Sequence, residues 1–227
     1  VDDEKSSRRM AELLHSAGYS TVALTVPTGL LGDKLSSLRR IFEYEGLETL
    51  MRVDLTASSR MDLLRLLRRF RNAYDIVAVK CVNQKAAAVA CRDRRVDLVF
   101  FDPMNSKTRF GHPLASLIRG ALELNLISTF LGETRGEVFS RVAKEAAVAR
   151  EHRTAIVLSS GCQSSMMVRN PSEISAIGIA IGLSREQSSR GVSDTPLSII
   201  NRNLERRGKG YVEDGVKLVL PAEGGRR

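Results

Sequence analysis

Two short runs, Asp75-Ile76-Val77-Ala78-Val79 and Asp97-Leu98-Val99-Phe100-Phe101, are apolar at consecutive rather than alternate positions. A strand buried on both faces requires that pattern, and such strands belong to parallel sheets covered by helices. An Ala-rich stretch between them fits a crossover helix, and the same unit recurs on both sides. Upstream, the pattern predicts helix Glu4–Ala17 stopped by Gly18, strand Thr21–Val26 closed by Pro27, helix Lys34–Tyr44 ending near Gly46 and strand Thr49–Leu55. Helix Met61–Asn72 places Leu63, Leu66, Leu67 and Phe70 on one face and basic residues on the other. Downstream come helix Pro113–Leu122, strand Leu126–Phe130, helix Gly136–His152 and strand Ala155–Ser159. Asn170-Pro171-Ser172-Glu173 reads as an N-cap, a proline at the first helical position and a capping-box acid, opening a helix to about Leu183. Thr195-Pro196 opens another in the same way.

Roughly seven strands alternating with helices through right-handed crossovers close into a barrel more readily than they split into two domains. The expected fold is therefore α/β, a TIM-like (β/α) barrel, with an open doubly wound sheet as the alternative. A length of 227 residues with 43% hydrophobic content suits one such domain over residues 1–207, and 208–227 reads as a tail with one short strand, Val216–Leu220. The sequence begins with Val1 rather than Met, so the barrel is expected to have a first strand that is absent or cut short.

A net charge of +9, from 35 Lys and Arg against 26 Asp and Glu, draws the chain toward polyanions, nucleic acid first among them. Aromatic content of 5% without Trp excludes base stacking as the main mode of contact and leaves binding of backbone phosphates. Cys81, Cys91 and Cys162 are odd in number and share no C-x-x-C spacing, which fits a reducing, cytoplasmic setting. The longest apolar run, Ile174 to Leu183, is about half the ~20 residues that span a bilayer, so no membrane partner is expected.

Loops at the carboxyl ends of the strands carry the chemistry of such barrels. Here they begin at Pro27, Thr56, Lys80, Asp102, Gly132 and Ser160. A metal-dependent hydrolase needs several His, Asp or Glu converging there. Only three histidines exist, His15 and His152 on helices and His112 in a loop, so neither a metal site nor another cofactor is expected. Asp54 and Asp102 facing one another would make an acid/base pair, against the plainer reading of capping and loop hydrogen bonds. A nucleophilic Cys162 would need a partner base that the sequence does not place, and no catalytic residue is assigned. Ser159-Ser160-Gly161 follows a late strand, where barrels bind phosphate through backbone N–H groups and hydroxyls; a tight turn that simply needs glycine explains it equally well.

Arginines cluster on helices at Arg60, Arg65, Arg68, Arg69 and Arg71, at Arg92, Arg94 and Arg95, and at Arg202, Arg206 and Arg207. Singly, each group suits a solvated face. Lys80, Lys107, Arg109, Arg135 and Arg169 lie instead in predicted loops at one end of the barrel, where they sum to a patch that binds phosphates without reading sequence. The candidate RNA contacts are Lys80, Lys107, Arg109, His112, Arg169 and Arg202, and the candidate phosphate cradle is Ser159, Ser160 and Gly161.

The ordered set Tyr74-Asp75-Ile76-Val77-Ala78-Val79, Val96-Asp97-Leu98-Val99, Arg109 to Asn125 ending in Ala121-Leu122-Glu123-Leu124, and Ile156-Val157-Leu158-Ser159-Ser160-Gly161 resembles the protein component 3 family of archaeal ribonuclease P, the thirty-kilodalton subunit. Arg169-Asn170-Pro171 and Ile199-Ile200-Asn201-Arg202-Asn203 extend the resemblance, which spans roughly Ala11 to Arg207. It implies a barrel related to metal-dependent phosphoesterases that has lost its metal site. It also implies a non-catalytic subunit that supports a catalytic ribonuclease P RNA in removing the 5′ leader of precursor tRNA. The implied partners are that RNA, a small ferredoxin-like ribonuclease P protein and the other archaeal ribonuclease P proteins. The rival reading, from the residues alone, is a barrel enzyme acting on a small phosphorylated substrate at Ser159 to Gly161.

Overall fold

The computed structural model describes residues 4–28, 33–104, 107–126, 135–208, 211–213 and 216–217. Its frame is a sheet of six parallel strands in sequence order, β1 (Thr21–Thr25), β2 (Glu48–Thr56), β3 (Ile76–Cys81), β4 (Leu98–Phe101), β5 (Ala121–Asn125) and β6 (Ile156–Ser159). Crossovers run through α1 (Glu4–Ser16) into β1, then α2 (Asp33–Tyr44), α3 (Arg60–Phe70), α4 (Gln84–Arg92), the short α5 (His112–Ala115) and α6 (Arg135–Glu151). After β6 come a 3₁₀ turn at Ser165–Met167 and helices α7 (Pro171–Ala180), α8 (Arg185–Val192) and α9 (Asp194–Arg207). A two-stranded antiparallel ribbon, β7 (Tyr211–Glu213) and β8 (Val216–Lys217), follows them. The result is a curled half-barrel of the TIM-like (β/α) kind. Among the described residues no helix is long and apolar enough to cross a membrane.

Each strand divides its residues between two faces. The helix-covered face carries Met51, Val53, Leu55, Val77, Val79, Val99, Leu122, Leu124, Ile156 and Leu158, all in one cluster with Leu63, Leu67 and Phe70 of α3 and Val142, Ala146 and Ala149 of α6. The inner face carries Leu50, Ile76, Ala78, Leu98, Ala121 and Val157, which cluster with Ile199 of α9. Both faces are therefore buried at the amino ends of the strands, as the unbroken apolar runs require.

One device recurs at those amino ends. Asp75, just ahead of β3, accepts the Met51 N–H of β2 at 2.7 Å, and Asp97, just ahead of β4, accepts the Val77 N–H of β3 at 2.9 Å. Each carboxylate satisfies a donor on the preceding strand and is then gripped by an arginine of α9. Arg202 donates to Asp97 at 3.0 Å, and Arg207 donates to Asp75 and to the Tyr74 carbonyl. Asp97 is fully buried and also holds Arg71 at 2.5 Å. Helix α9 thus lies across the amino end of the inner face, pinned by charge and packed by Ile199 and Ile200.

The structure departs from the sequence expectation at several elements. Helix α5 stops at Ala115 instead of running to Leu122, and β5 occupies Ala121–Asn125 rather than Leu126–Phe130, whose residues from 127 onward lie outside the described set. Gly120 marks the entry to that strand. A Cβ there would stand 2.5 Å from the Asp97 carbonyl oxygen, so the backbone must pass where only glycine fits. Helix α8 was not expected, although Ser184 and Gln187 form a full capping box at its start. Where one short strand, Val216–Leu220, was expected after residue 208, the described residues hold two, β7 and β8.

Removing the Asp97 carboxylate leaves the Arg71 and Arg202 guanidiniums and the Val77 N–H without their shared acceptor. Asp97→Ala is expected to lower the unfolding free energy by about 3–5 kcal/mol in urea denaturation. A loss under about 1 kcal/mol would show that the clamp on α9 is not structural.

Candidate functional site

Toward the carboxyl ends, the inner face turns polar. Arg52, Asp54, Lys80, Glu123, Asn125 and Ser159 occupy the same alternating positions that hold apolar residues lower down, as the strand registers show. Arg52 reaches from β2 across the bowl to Glu123 on β5, donating through both terminal nitrogens at 2.6 Å, and its Nε donates to Asp54 at 2.7 Å. Its guanidinium also lies 5.7 Å from the Phe100 ring centroid. Lys80 pairs at 3.1 Å with Asp102, which directly follows the neighbouring strand β4.

Burial sets the electrostatics of this cluster. Burial alone would push the Glu123 carboxyl up, but the charge and hydrogen bonds of Arg52 outweigh it and hold the group below the usual range. The Ser159 hydroxyl, buried beside it, adds a smaller influence of the same sign although its geometry falls short of a hydrogen bond. Burial opposes the Arg52 charge in turn, yet Glu123 and then Asp54 win and raise its pKa. Asp102 is partly buried, which would raise its pKa. The Met104 N–H and Lys80 nevertheless keep it below the ordinary value. At neutral pH these carboxylates are ions already answered by cations, so they offer neither a protonated acid nor a base poised near neutrality. Asp54 and Asp102 are divided between different cations, and Asp102 also accepts the Met104 N–H at 3.0 Å, which is the plainer role weighed for it.

The thiols are equally quiet. Burial raises the pKa of Cys81, and burial lifts Cys91 to about 12. Burial likewise raises Cys162, with the Ser164 backbone and Arg169 acting against it, and its sulfur contacts the Ser164 carbonyl oxygen at 2.9 Å. In the loop after β6, Gly161 has φ +54°, and a Cβ there would meet Asn125 Nδ2 at 1.8 Å. That collision is a local reason for glycine, while the half-buried Ser159 and Ser160 lead into the turn from the inner face.

Exposed positive charge is displayed differently. From Lys107 to Phe110 the chain alternates exposed, buried, exposed, buried. Thr108 Oγ1 donates to the Val82 carbonyl at 3.1 Å, and the Phe110 N–H donates to Glu145 at 3.0 Å. The Phe110 ring is buried with its centroid 6.0 Å from that of Phe101. The two anchors point inward, and Lys107 and Arg109 face solvent from a fixed backbone. Arg169, exposed after β6, is held by its own turn, donating to the Met166 and Val168 carbonyls, while Tyr19 donates to the Arg169 carbonyl at 2.9 Å. Burial first, then the charges of Cys162 and Glu173, carry the Tyr19 hydroxyl up to about 12.

Lys107 and Arg109 therefore share one anchored segment, Lys80 stands at the mouth and Arg169 belongs to the loop after β6. His112 and Arg202 lie elsewhere. His112 opens α5 against the last turn of α6, which feeds the amino end of β6, and Arg202 is engaged with Asp97. Arg135 begins α6. The Arg52–Glu123 pair escaped sequence reasoning, although a charge flanked by apolar residues within each strand was the available signal.

Fold and site together define a helix-covered parallel half-barrel whose mouth is closed by ion pairs and whose loops present cations. The sequence profile of the family described as RNase P subunit p30 matches residues 1–208, and the chain belongs to that family. It is 26% identical over 223 residues to ribonuclease P protein component 3 of Methanosarcina barkeri, covering 96% of this chain and 91% of that protein. It is 28% identical over 232 residues to the protein of the same name from Methanothermobacter thermautotrophicus, with the same coverage of 96% and 91%. Protein GAMETOPHYTE DEFECTIVE 1 of Arabidopsis thaliana is 27% identical over 157 residues, 67% of this chain and 26% of that protein. In fold, the chain superposes with a TM-score of 0.84 on a chain in a cryo-EM structure of archaeal ribonuclease P with mature tRNA, at 18% identity and covering 98% of this chain and 97% of that one.

Breaking the inner ion pair from one side strands a buried charge. Glu123→Gln is expected to cost about 3–5 kcal/mol, whereas the double change Arg52→Met with Glu123→Leu should recover most of that loss. Chemical denaturation of the three variants checks both halves.

The anchor under Arg109 titrates near neutrality. Burial raises Glu145 to about 7, against the lowering influence of the Phe110 N–H and Arg109. The folded state thus holds this proton more tightly than the unfolded one. Its contribution is fully present below about 4.5, the ordinary glutamate value, and is lost as pH rises to about 7. Glu145→Gln should flatten that slope in stability-versus-pH curves by an amount on the order of 1–3 kcal/mol. An unchanged slope would remove Glu145 as its source.

Proposed function

We propose that this chain serves as a non-catalytic, RNA-binding protein subunit of ribonuclease P, supporting the catalytic RNA as it removes the 5′ leader of precursor tRNA. Membership of the p30 family supports the assembly. The observation that carries the role is the anchored segment, in which Thr108 and Phe110 are buried while Lys107 and Arg109 alternate outward. Cations on a backbone fixed in advance bind phosphates with little ordering cost. Neutralised acids at the mouth support the absence of chemistry from the chain itself, because a hydrolytic metal needs free oxygen or nitrogen ligands converging on one point.

In this reading Lys80 and Arg169 add to the phosphate-binding surface, and the Ser159–Gly161 turn borders it. His112 and Arg202 face different tasks at the other end of the sheet. Partners are the ribonuclease P RNA, the small ferredoxin-like subunit and the remaining archaeal ribonuclease P proteins, in the cytoplasm. The domain extends over residues 1–207, with 208–227 as a tail.

The test is reconstitution with ribonuclease P RNA and the partner proteins, scored by pre-tRNA cleavage. Lys107→Ala with Arg109→Ala should weaken RNA affinity and reduce the slope of log affinity against log salt by about 1.5 units, with the melting temperature unchanged. Arg65→Ala with Arg68→Ala should act less, since Arg65 already pairs with Asp62 at 2.6 Å. Unaltered cleavage and salt slope in the Lys107/Arg109 variant would sink the interface. Metal-dependent RNA cleavage by the isolated chain, lost on Asp102→Ala, would replace the proposal with an enzyme.

A further inference from the structure

At the amino end of the sheet, away from the mouth, three ligand-bearing side chains converge where α5 begins and α6 ends. His112 Nδ1 lies 3.0 Å from His152 Nε2 and 3.9 Å from a Glu151 carboxylate oxygen, and all three donor atoms fall within 4.8 Å of one another. We propose that His112, Glu151 and His152 form a binding site for a divalent transition-metal ion of the zinc class.

The geometry suits such an ion. Zinc binds imidazole nitrogen and carboxylate oxygen at about 2.0–2.2 Å in a tetrahedron, which sets neighbouring donors about 3.3 Å apart. The observed separations of 3.0 and 3.9 Å bracket that spacing, so small side-chain rotations suffice. Two imidazoles and one carboxylate match a borderline ion, whereas magnesium and calcium call for oxygen ligands. Three protein ligands leave the fourth position to water or to a ligand from a partner. Both sides of the site face solvent, with side-chain exposures of 59% for His112 and 69% for Glu151, so an ion can enter without unfolding.

Local backbone structure sets these two consecutive residues at the end of α6. Neighbours within a helix point in different directions. The His152 N–H still bonds the Val148 carbonyl at 3.1 Å, and the helix closes just beyond it, where Arg153 takes the left-handed conformation at φ +55°. The Thr154 N–H returns to the Ala149 carbonyl at 2.8 Å and the Arg153 N–H to the Arg150 carbonyl at 3.0 Å, a Schellman closure. Glu151 is the last helical residue and His152 caps it, and the ligand atoms of both lie within 4.8 Å of that of His112.

An ion bound here would staple the first turn of α5 to the last turn of α6. His112 follows Arg109 by three residues, so the staple also fixes the far end of the segment that carries Lys107 and Arg109.

The experiment titrates the full, metal-free chain with Zn²⁺ by calorimetry and follows its melting temperature, then repeats both on His112→Gln and His152→Gln. The expected result is one equivalent bound with a rise in melting temperature, and affinity weakened at least roughly tenfold in each variant, the wild-type and variant chains having the same circular dichroism without metal. Because both histidines are at the surface, a folding failure is not expected; His112→Asn serves as the alternative if His112→Gln misfolds. Co²⁺ absorption provides the second readout. Visible ligand-field bands that vanish in both variants support the site. Thiolate-to-cobalt charge transfer that persists in the variants would place the ion on a cysteine and overturn it, as would the absence of saturable binding.

Discussion

The Arg52–Glu123 pair constrains the whole inner face. Strands β2 and β5 are separated by two others, and at the usual interstrand spacing a flat sheet would hold them about 14 Å apart. The two side chains meet at 2.6 Å in a bidentate contact, so the sheet must curl enough to bring opposite walls of the bowl within reach. Glu123 has 2% of its side chain exposed and Arg52 12%, and neither charge tolerates that burial alone. Curl and pairing thus require each other. Asp54 takes the remaining edge of the guanidinium, Phe100 takes its face, and the cavity that an enzyme would use for substrate is filled with self-satisfied charge.

A second set of ion pairs engages part of the positive charge inside the fold. Arg71, Arg202 and Arg207 meet Asp97 and Asp75 at the amino ends of β3 and β4, so these cations contribute to closing the half-barrel. Arg95 pairs with Asp93 at 2.6 Å, and Arg206 donates to the Arg94 carbonyl. Arginine clusters that look alike along the chain therefore divide into fixings for α9 and charges shown to solvent. The division follows from which residue opens the neighbouring strand, since an aspartate there satisfies an N–H and still has an oxygen left for an arginine.

The parallel sheet was legible because two-faced burial leaves continuous apolar runs, and strands β2, β3, β4 and β6 lie close to where those runs put them. Strand β5 was displaced because Ser116 to Leu122 also satisfies helical periodicity, and the deciding fact is the contact of Gly120 with the Asp97 backbone, which no local pattern contains. Helix α8 carried a readable capping box at Ser184 and Gln187, but its polar sequence offered no apolar stripe to attract notice. Of the site, the basic loop after β4 was legible as composition. The alternation of anchors and cations within it was hidden, because Thr108 and Phe110 acquire their inward roles only from Val82 and Glu145, 26 and 35 residues away.

The meeting of His112 with Glu151 and His152 was equally beyond sequence reading, since the contact joins positions 40 residues apart. Helix α5, which begins at His112, is only one turn long. Had the helix run on to Leu122, that chain would have been spent as helix rather than as the descent into β5. Residues 116–120 make that descent, with the Arg119 N–H bound to the Cys91 carbonyl at 2.9 Å and the Ala121 N–H to the Asp97 carbonyl at 2.9 Å. Gly120 therefore fixes where β5 begins, and with it the distance back to His112. The same steric demand that displaces the strand in sequence leaves the first turn of α5 beside the end of α6.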